Sequence, residues 1–232
     1  MDKLNKKYII SRNNDIDGLG CIVLARVAFG KDVDTVLVKD KFDLEMHVRR
    51  LIEDSSIYQC EQVFITSLPL INPSYEISSN CPYLSSHLQV IDHHQSTVDS
   101  KFTNLNFVDA RSSDNGRVTC STELFYNYLL ENNYLNRTKA LDDFVELTRI
   151  IETWDYQDDL LSDKARDLEA LFKVFTLPTR YIALVTYKLK SNPNNFELDQ
   201  LEKDIIYSFK INKVVETAAV GPKLKLVSSS FE

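Results

Sequence analysis

Lys7-Tyr8-Ile9-Ile10-Ser11-Arg12-Asn13-Asn14-Asp15-Ile16-Asp17-Gly18-Leu19 is the stretch on which the reading of this chain turns. Its first five residues form a short β-branched and aromatic run, which predicts a buried strand. From Gly18 to Phe29 the apolar residues Leu19, Ile22, Val23, Ala25, Val27 and Ala28 fall at helical spacing, and Gly30 follows as a stop. Between strand and helix lie two carboxylates, Asp15 and Asp17, and then Gly18, which lets the backbone turn tightly into the helix. Ligands collect at the carboxyl ends of strands in an open α/β sheet, and paired carboxylates there suit a hard cation. The plainer reading is a helix start carrying Asp, which the helix dipole favours. A calcium-binding EF-hand loop is excluded. With Asn13 as its first position, its twelfth is Leu24, where a bidentate Glu is required.

Outward from this stretch, strands alternate with helical patterns. Val33 to Val38 predicts a second strand, Phe42 to Glu53 an amphipathic helix, Gln62 to Thr66 a third strand, Gln89 to Ile91 a short fourth and Phe102 to Val108 a fifth. That alternation predicts an α/β fold with a mostly parallel sheet flanked by helices and right-handed crossovers. After Thr119 the character is mostly α, with helical patterns at Ser121–Asn132, Ala140–Thr153, Ala165–Phe175, Thr179–Leu189 and Leu198–Val215. Asn192-Pro193-Asn194-Asn195 reads as a hinge between the last two.

The 232 residues are 44% hydrophobic and 26% charged, enough for one large domain or a domain with a small appendage. A net charge of −7 argues against a protein that coats duplex DNA, although a metal site could still attract a short oligonucleotide or nucleotide locally. Cys21, Cys60, Cys81 and Cys120 form no CxxC pair, so free thiols in a cytoplasmic protein are expected rather than a disulfide framework or a zinc knuckle. No signal peptide is visible, and no apolar run is long enough to cross a bilayer.

A second constellation is Val90-Ile91-Asp92-His93-His94, an apolar strand ending in one carboxylate and two of the chain's four imidazoles. Such a density of ligand types at a strand end points to a metal site at the sheet edge. A third is Glu152-Thr153-Trp154-Asp155-Tyr156 at the end of a helical pattern, where Asp155 is the candidate ligand from the α-rich half.

In order and spacing, Asn13–Gly18, Asp92-His93-His94 and Asp155 resemble the DHH phosphoesterases. The run Asn14-Asp15-Ile16-Asp17-Gly18-Leu19-Gly20-Cys21 is most similar to the oligoribonuclease and single-strand exonuclease branch, and Thr119-Cys120-Ser121-Thr122-Glu123-Leu124 resembles the helix start that follows the DHH motif there. The resemblance implies two Mn²⁺ ions, about 3.5–4 Å apart, that polarise a phosphoryl oxygen and generate a hydroxide for in-line attack. It implies Asp15 as a ligand of the first ion and Asp17, His93 and Asp155 as ligands of the second. His94 would face the phosphate, and Asp92 would buttress the cluster. The helix starts at Gly18 and at Ser121 and Thr122 are candidate phosphate-binding positions.

The chain departs from that pattern at two metal positions. The family's first motif begins with His, where this chain has Asn13, and its second ends in a metal-bridging Asp, where Val63-Phe64-Ile65-Thr66 is followed by Ser67. The expectation is therefore weakened hydrolysis of short oligonucleotides or nucleotides, with one ion or none bound. The alternative is an inactive relative that binds a nucleotide or a protein partner. The expected organisation is a catalytic-type domain over 1–178, a helical linker over 179–222 and the start of the family's second domain, DHHA1, over 223–232. With only five Gly in the chain, the Gly-rich motif of that second domain is not formed, which leaves open a homodimer or a separate DHHA1-containing chain as partner. From Thr179 to Lys225, Lys and Arg outnumber Asp and Glu, which reads as the solvated face of linker helices.

Overall fold

The computed structural model describes residues 6–55, 58, 60–69, 86–99 and 108–212. Strand β1 (Lys6–Arg12) leads into helix α1 (Ile16–Phe29), a 3₁₀ turn (Gly30–Asp32), β2 (Val33–Val38) and α2 (Lys41–Glu53). Next come β3 (Cys60–Thr66), β4 (Leu88–Asp92), the short α3 (Gln95–Val98) and β5 (Val108–Ala110). A small hairpin, β6 (Ser113–Asp114) and β7 (Arg117–Val118), precedes α4 (Ser121–Glu131), α5 (Lys139–Thr153), α6 (Asp159–Val174) and α7 (Pro178–Ser191). A further helical stretch covers 200–212. The part of the expected fifth strand before Val108, Cys81 and the segment expected to begin the second domain lie outside the described residues.

The five long-range strands form one parallel sheet in the order β2-β1-β3-β4-β5. The order reverses at β1, which lies between β2 and β3, so the carboxyl ends of β1, β3 and β4 frame the topological switch point where open α/β sheets bind ligands. Side-chain alternation assigns the two faces. Ile9, Phe64 and Ile91 point to one core with α1, α4, α5 and α7, while Ile10, Val63, Ile65 and Val90 meet Leu44, Val48 and Leu51 of α2 on the other.

Helix α1 is buried from Ile16 through Ala25, so it is enclosed between the sheet and the later helices rather than lying at a surface. Two glycines permit this. A Cβ on Gly18 would lie 2.3 Å from the carbonyl oxygen of Arg12, and one on Gly20 would lie 2.4 Å from Oγ1 of Thr122. Gly18 thus serves close approach of helix to strand.

Helix α7, placed by the sequence in a linker, sends Tyr181, Ile182, Val185 and Leu189 into the same core as α1. The expected boundary after residue 178 therefore falls in the first turn of a core helix. The hinge after α7 is tied back to the start of α5, with the Ala140 amide donating to the Pro193 carbonyl at 3.0 Å. Cys21 and Cys120 are buried free thiols, and Cys60 is buried at the start of β3. No helix among the described residues is long and apolar enough to cross a membrane.

Candidate metal centre

The turn after β1 places both of its carboxylates by helix capping. Asp15 is the N-cap of α1, its Oδ1 accepting from the Gly18 amide at 2.6 Å. Its Oδ2 lies 3.2 Å from Nε of Arg12, which also donates to Oδ1 of Asn14 at 2.9 Å. Burial, and then repulsion from Asp17, pushes the Asp15 carboxyl up to about 7.

Asp17 is fully buried and caps a different helix from the one it sits on. Its Oδ1 accepts from the Thr122 amide at 2.7 Å and its Oδ2 from the Ser121 amide at 3.1 Å, while Oγ1 of Thr122 donates to the Asp17 carbonyl at 2.7 Å. Burial opposes ionisation here, but bonds from His93 and the Thr122 amide win and hold the carboxyl well below the usual range. The amides of Gly18, Ser121 and Thr122, candidates for phosphate, are therefore bonded to Asp15 and Asp17.

β4 ends in the imidazole pair. Nδ1 of His93 lies 2.9 Å from Oγ of Ser121 and 3.4 Å from Oδ2 of Asp17, and its Nε2 lies 3.4 Å from Oε1 of Glu152. Burial alone would lower the pKa of this ring, but the bonds to Asp17 and Glu152 raise it to about 10, so His93 is the cation among these carboxylates. His94 bonds through Nδ1 to Oδ1 of Asp92 at 2.6 Å, and Oδ2 of the buried Asp92 accepts from Oγ1 of Thr97 at 2.5 Å. A carboxylate acceptor at Nδ1 fixes the proton there and leaves Nε2 as the ring's lone-pair donor. Asp92, His93 and His94 each present a ligand atom, and the three lie within 4.8 Å of one another.

The third constellation divides differently from the sequence reading. Glu152, in the last turn of α5, is the carboxylate that reaches His93 and adds to the repulsion felt by Asp15. Asp155 lies beyond the C-cap, and its Oδ2 accepts from Nη2 of Arg149 at 2.9 Å. Arg149, only 4% exposed in its side chain, also donates to Glu146 and reaches the Val118 carbonyl and Oγ1 of Thr153. Arg117 of β7 joins Glu146 to Glu123, so the hairpin, α4 and α5 share one ion-pair network. The carboxylate brought to Asp15, Asp17 and His93 by the α-rich half is thus Glu152, with Asp155 held by Arg149. Between them is Trp154, left-handed at φ 57°, ψ 28° and 81% exposed.

Helical periodicity carries the signal for Glu152. Leu141, Val145 and Thr148 are the buried stripe of α5, and Glu152 is its next member at i+4.

The two departing positions lie on the same rim. Asn13 donates its amide to the Val38 carbonyl at 2.9 Å, joining the end of β1 to the end of β2. Ser67 ends β3 with φ 53°, a backbone conformation that costs a non-glycine residue about 1 kcal/mol and that persists mostly at functional sites. Its amide donates to the Ile91 carbonyl at 3.2 Å, and its buried Oγ has no hydrogen-bond partner among the described residues.

No protein-family model matches the chain. Among solved structures, an uncharacterized protein from Helicobacter pylori G27 is similar in fold, with a TM-score of 0.53 and 17% identity over 88% of this chain and 70% of that one. Oligoribonuclease NrnB of Bacillus subtilis (strain 168) is 29% identical over 202 residues, which is 86% of this chain and 49% of that protein. The chain is thus similar, over most of its own length, to about half of a curated oligoribonuclease.

Proposed function

We propose that this chain is a DHH-family phosphoesterase domain acting on phosphodiester bonds of short oligonucleotides, with hydrolysis weakened at Asn13 and Ser67. The observation that carries the reading is the convergence of Asp15, Asp17, His93 and Glu152 beside the Asp92-His93-His94 donor group at the switch-point rim. The likeness to an oligoribonuclease supports the same class of chemistry. The buried free thiols of Cys21 and Cys120 agree with a cytoplasmic setting.

The donor set fits a divalent cation. Four carboxylates, Asp15, Asp17, Asp92 and Glu152, surround a cluster whose own positive charges are Arg12 and protonated His93. Nitrogen and carboxylate donors together suit Mn²⁺. Asp92, His94 and, once it has given up its proton, His93 would hold such an ion with Asp15 and Glu152 alongside, and the ion would supply polarisation of a phosphoryl oxygen and a more acidic bound water. The chain's own groups do the rest. Asp92 holds the His94 ring through Nδ1, which leaves Nε2 as its donor atom toward the ion, and Asp17 with Ser121 fixes the plane of His93. Asp17 spends both oxygens on amides of α4, which makes it a structural anchor more than an open ligand. The neutral Asn13 and the unpaired Ser67 hydroxyl offer weaker donors than the imidazole and carboxylate they replace.

The test is Mn²⁺-dependent cleavage of a 5′-phosphorylated dinucleotide by the wild type and by the Asn13→His, Ser67→Asp double variant. We expect slow cleavage by the wild type and a gain of at least about tenfold in the variant. That gain is a transition-state difference of about 1.4 kcal/mol. Turnover that the double variant leaves unchanged or lowers would refute weakening at these positions. Absence of cleavage by both proteins would favour the second reading, a non-cleaving nucleotide binder, to which the Ser67 hydroxyl, without a partner among the described residues, lends support.

A further inference from the structure

Next to the carboxylate cluster, on the side of β2, the rim opens into a cavity of about 270 Å³ lined by Arg12, Lys39, Asp40, Lys41, Phe42, Leu68 and Pro69. These residues are the ends of three neighbouring strands: Arg12 closes β1, Lys39 follows β2, and Leu68 and Pro69 follow Ser67 at the end of β3. The bond from the Asn13 amide to the Val38 carbonyl makes the cavity wall continuous with the turn that carries Asp15.

Its chemistry is unlike the rest of a chain of net charge −7. Arg12, Lys39 and Lys41 all contribute to its lining. The Lys41 ammonium lies 5.1 Å from the centroid of the Phe42 ring, and neither Lys39 nor Lys41 forms an ion pair among the described residues. The two nearby carboxylates are turned to backbone. Asp40 accepts from the amides of Phe42 and Asp43, and Asp43 accepts from the Lys39 amide. The walls are apolar. Phe42 is 69% exposed, a large ring left in solvent at the mouth, and Leu68 is buried at the base. An exposed aromatic face flanked by ammonium groups fits a nucleobase joined to a phosphate.

We infer that the cavity formed by Arg12, Lys39, Lys41, Phe42, Leu68 and Pro69 binds one nucleotide of a short single strand. Its base lies on Phe42 over Leu68 and Pro69, and its phosphate lies between Lys39 and Lys41. Arg12 stands between this cavity and Asp15, 3.2 Å from the latter, so the next phosphate along the strand is led toward Asp92-His93-His94. The inference rests on the phosphodiester reading of the rim for its purpose, but the binding it describes requires neither metal nor cleavage.

The experiment is calorimetric titration of the full chain with the RNA trinucleotide pApApA in EDTA at two salt concentrations. AMP and inorganic phosphate serve as competitors, and circular dichroism checks that each variant is folded. For Lys39→Glu with Lys41→Glu, binding should weaken at least about tenfold. The slope of log affinity against log salt should flatten by about 0.7, the contribution of one phosphate on a single strand. For Phe42→Ala, binding should weaken about fivefold or more with the salt slope unchanged. AMP should compete and inorganic phosphate should compete far less well. Wild-type affinity in both variants, or no binding by the wild type, overturns the inference. So does equal competition by phosphate and AMP with Phe42→Ala silent, since that describes a bare anion site. A parallel Mn²⁺ cleavage assay separates the two readings. Cleavage unaffected by the lip variants defeats the nucleotide subsite alone, and lip-dependent binding without cleavage defeats the phosphoesterase reading alone.

Discussion

Along the carboxyl rim, the side carried by β1 and β4 is acidic, largely buried and bonded to itself, whereas the side that follows β2 is basic, with Lys39 and Lys41 in no ion pair among the described residues. The first side is part of the folding core. Asp17 holds the start of α4 against α1, His93 joins β4 to α5, and Asp92 ties β4 to α3. The second is held by bonds from backbone amides to the carboxylates of Asp40 and Asp43, in which the side chains of Lys39 and Lys41 take no part. A group that is both catalytic in type and structural in fact cannot be altered without unfolding costs, while the lip can be altered freely. Evolution of binding preference is therefore cheaper at Lys39–Phe42 than at Asp17.

That contrast can be broken most forcefully at Asp17. Asp17→Ala leaves two buried amides of α4 without acceptors and the His93 charge without one of its two carboxylate partners, and should cost about 3–5 kcal/mol in urea denaturation. A loss below about 1 kcal/mol would show that the acidic side is not a folding element.

A smaller effect is expected from pH. The Asp15 carboxyl is raised to about 7 in the folded protein, above its unfolded value, so the stability that its proton confers is full below about pH 4 and is lost as pH rises through 7. Asp15→Asn retains a good N-cap and lacks this titration. In thermal melts with EDTA, the variant should therefore gain on the wild type as pH goes from 4.5 to 8. A constant or shrinking difference would place Asp15 in a more solvated setting than the structure gives it.

The smallest effect sharpens the comparison from the other side. Lys39→Glu and Lys41→Glu should each change unfolding free energy by less than about 0.5 kcal/mol, as exposed charges usually do. A larger loss would mean that the lip, too, is structural.

Much of the architecture was legible because periodicity reports burial. β2 falls on the residues that its apolar run indicates, and the helical patterns from Ser121 onward match α4, α5 and α7 within a few residues. The β6–β7 hairpin escaped this reading because its strands are only two residues long, too short for alternation to register. Its turn residues nevertheless mark it: Asn115 and Gly116 have φ 51° and 79°, the paired positive values that favour Asn-Gly in tight hairpins. Glu152 and Asp155 show the other limit. A carboxylate count cannot tell which acid faces the rim, whereas the helical stripe of α5 can, since it ends before the left-handed Trp154 turns the chain away. Asp17 was legible as a member of the cluster, but that it caps α4 across more than a hundred residues of sequence depends on the close approach allowed at Gly20.

Arg149 has a consequence for motion. The final turn of a helix ordinarily frays, because its carbonyls lack partners within the helix. Glu152 sits in that turn of α5, yet Arg149 grips Glu146 one turn back, Thr153 within the turn and Asp155 past it, while reaching across to the Val118 carbonyl. The end of α5 is thereby stapled on both flanks, and the carboxylate that meets His93 is delivered from a turn with no freedom to unwind.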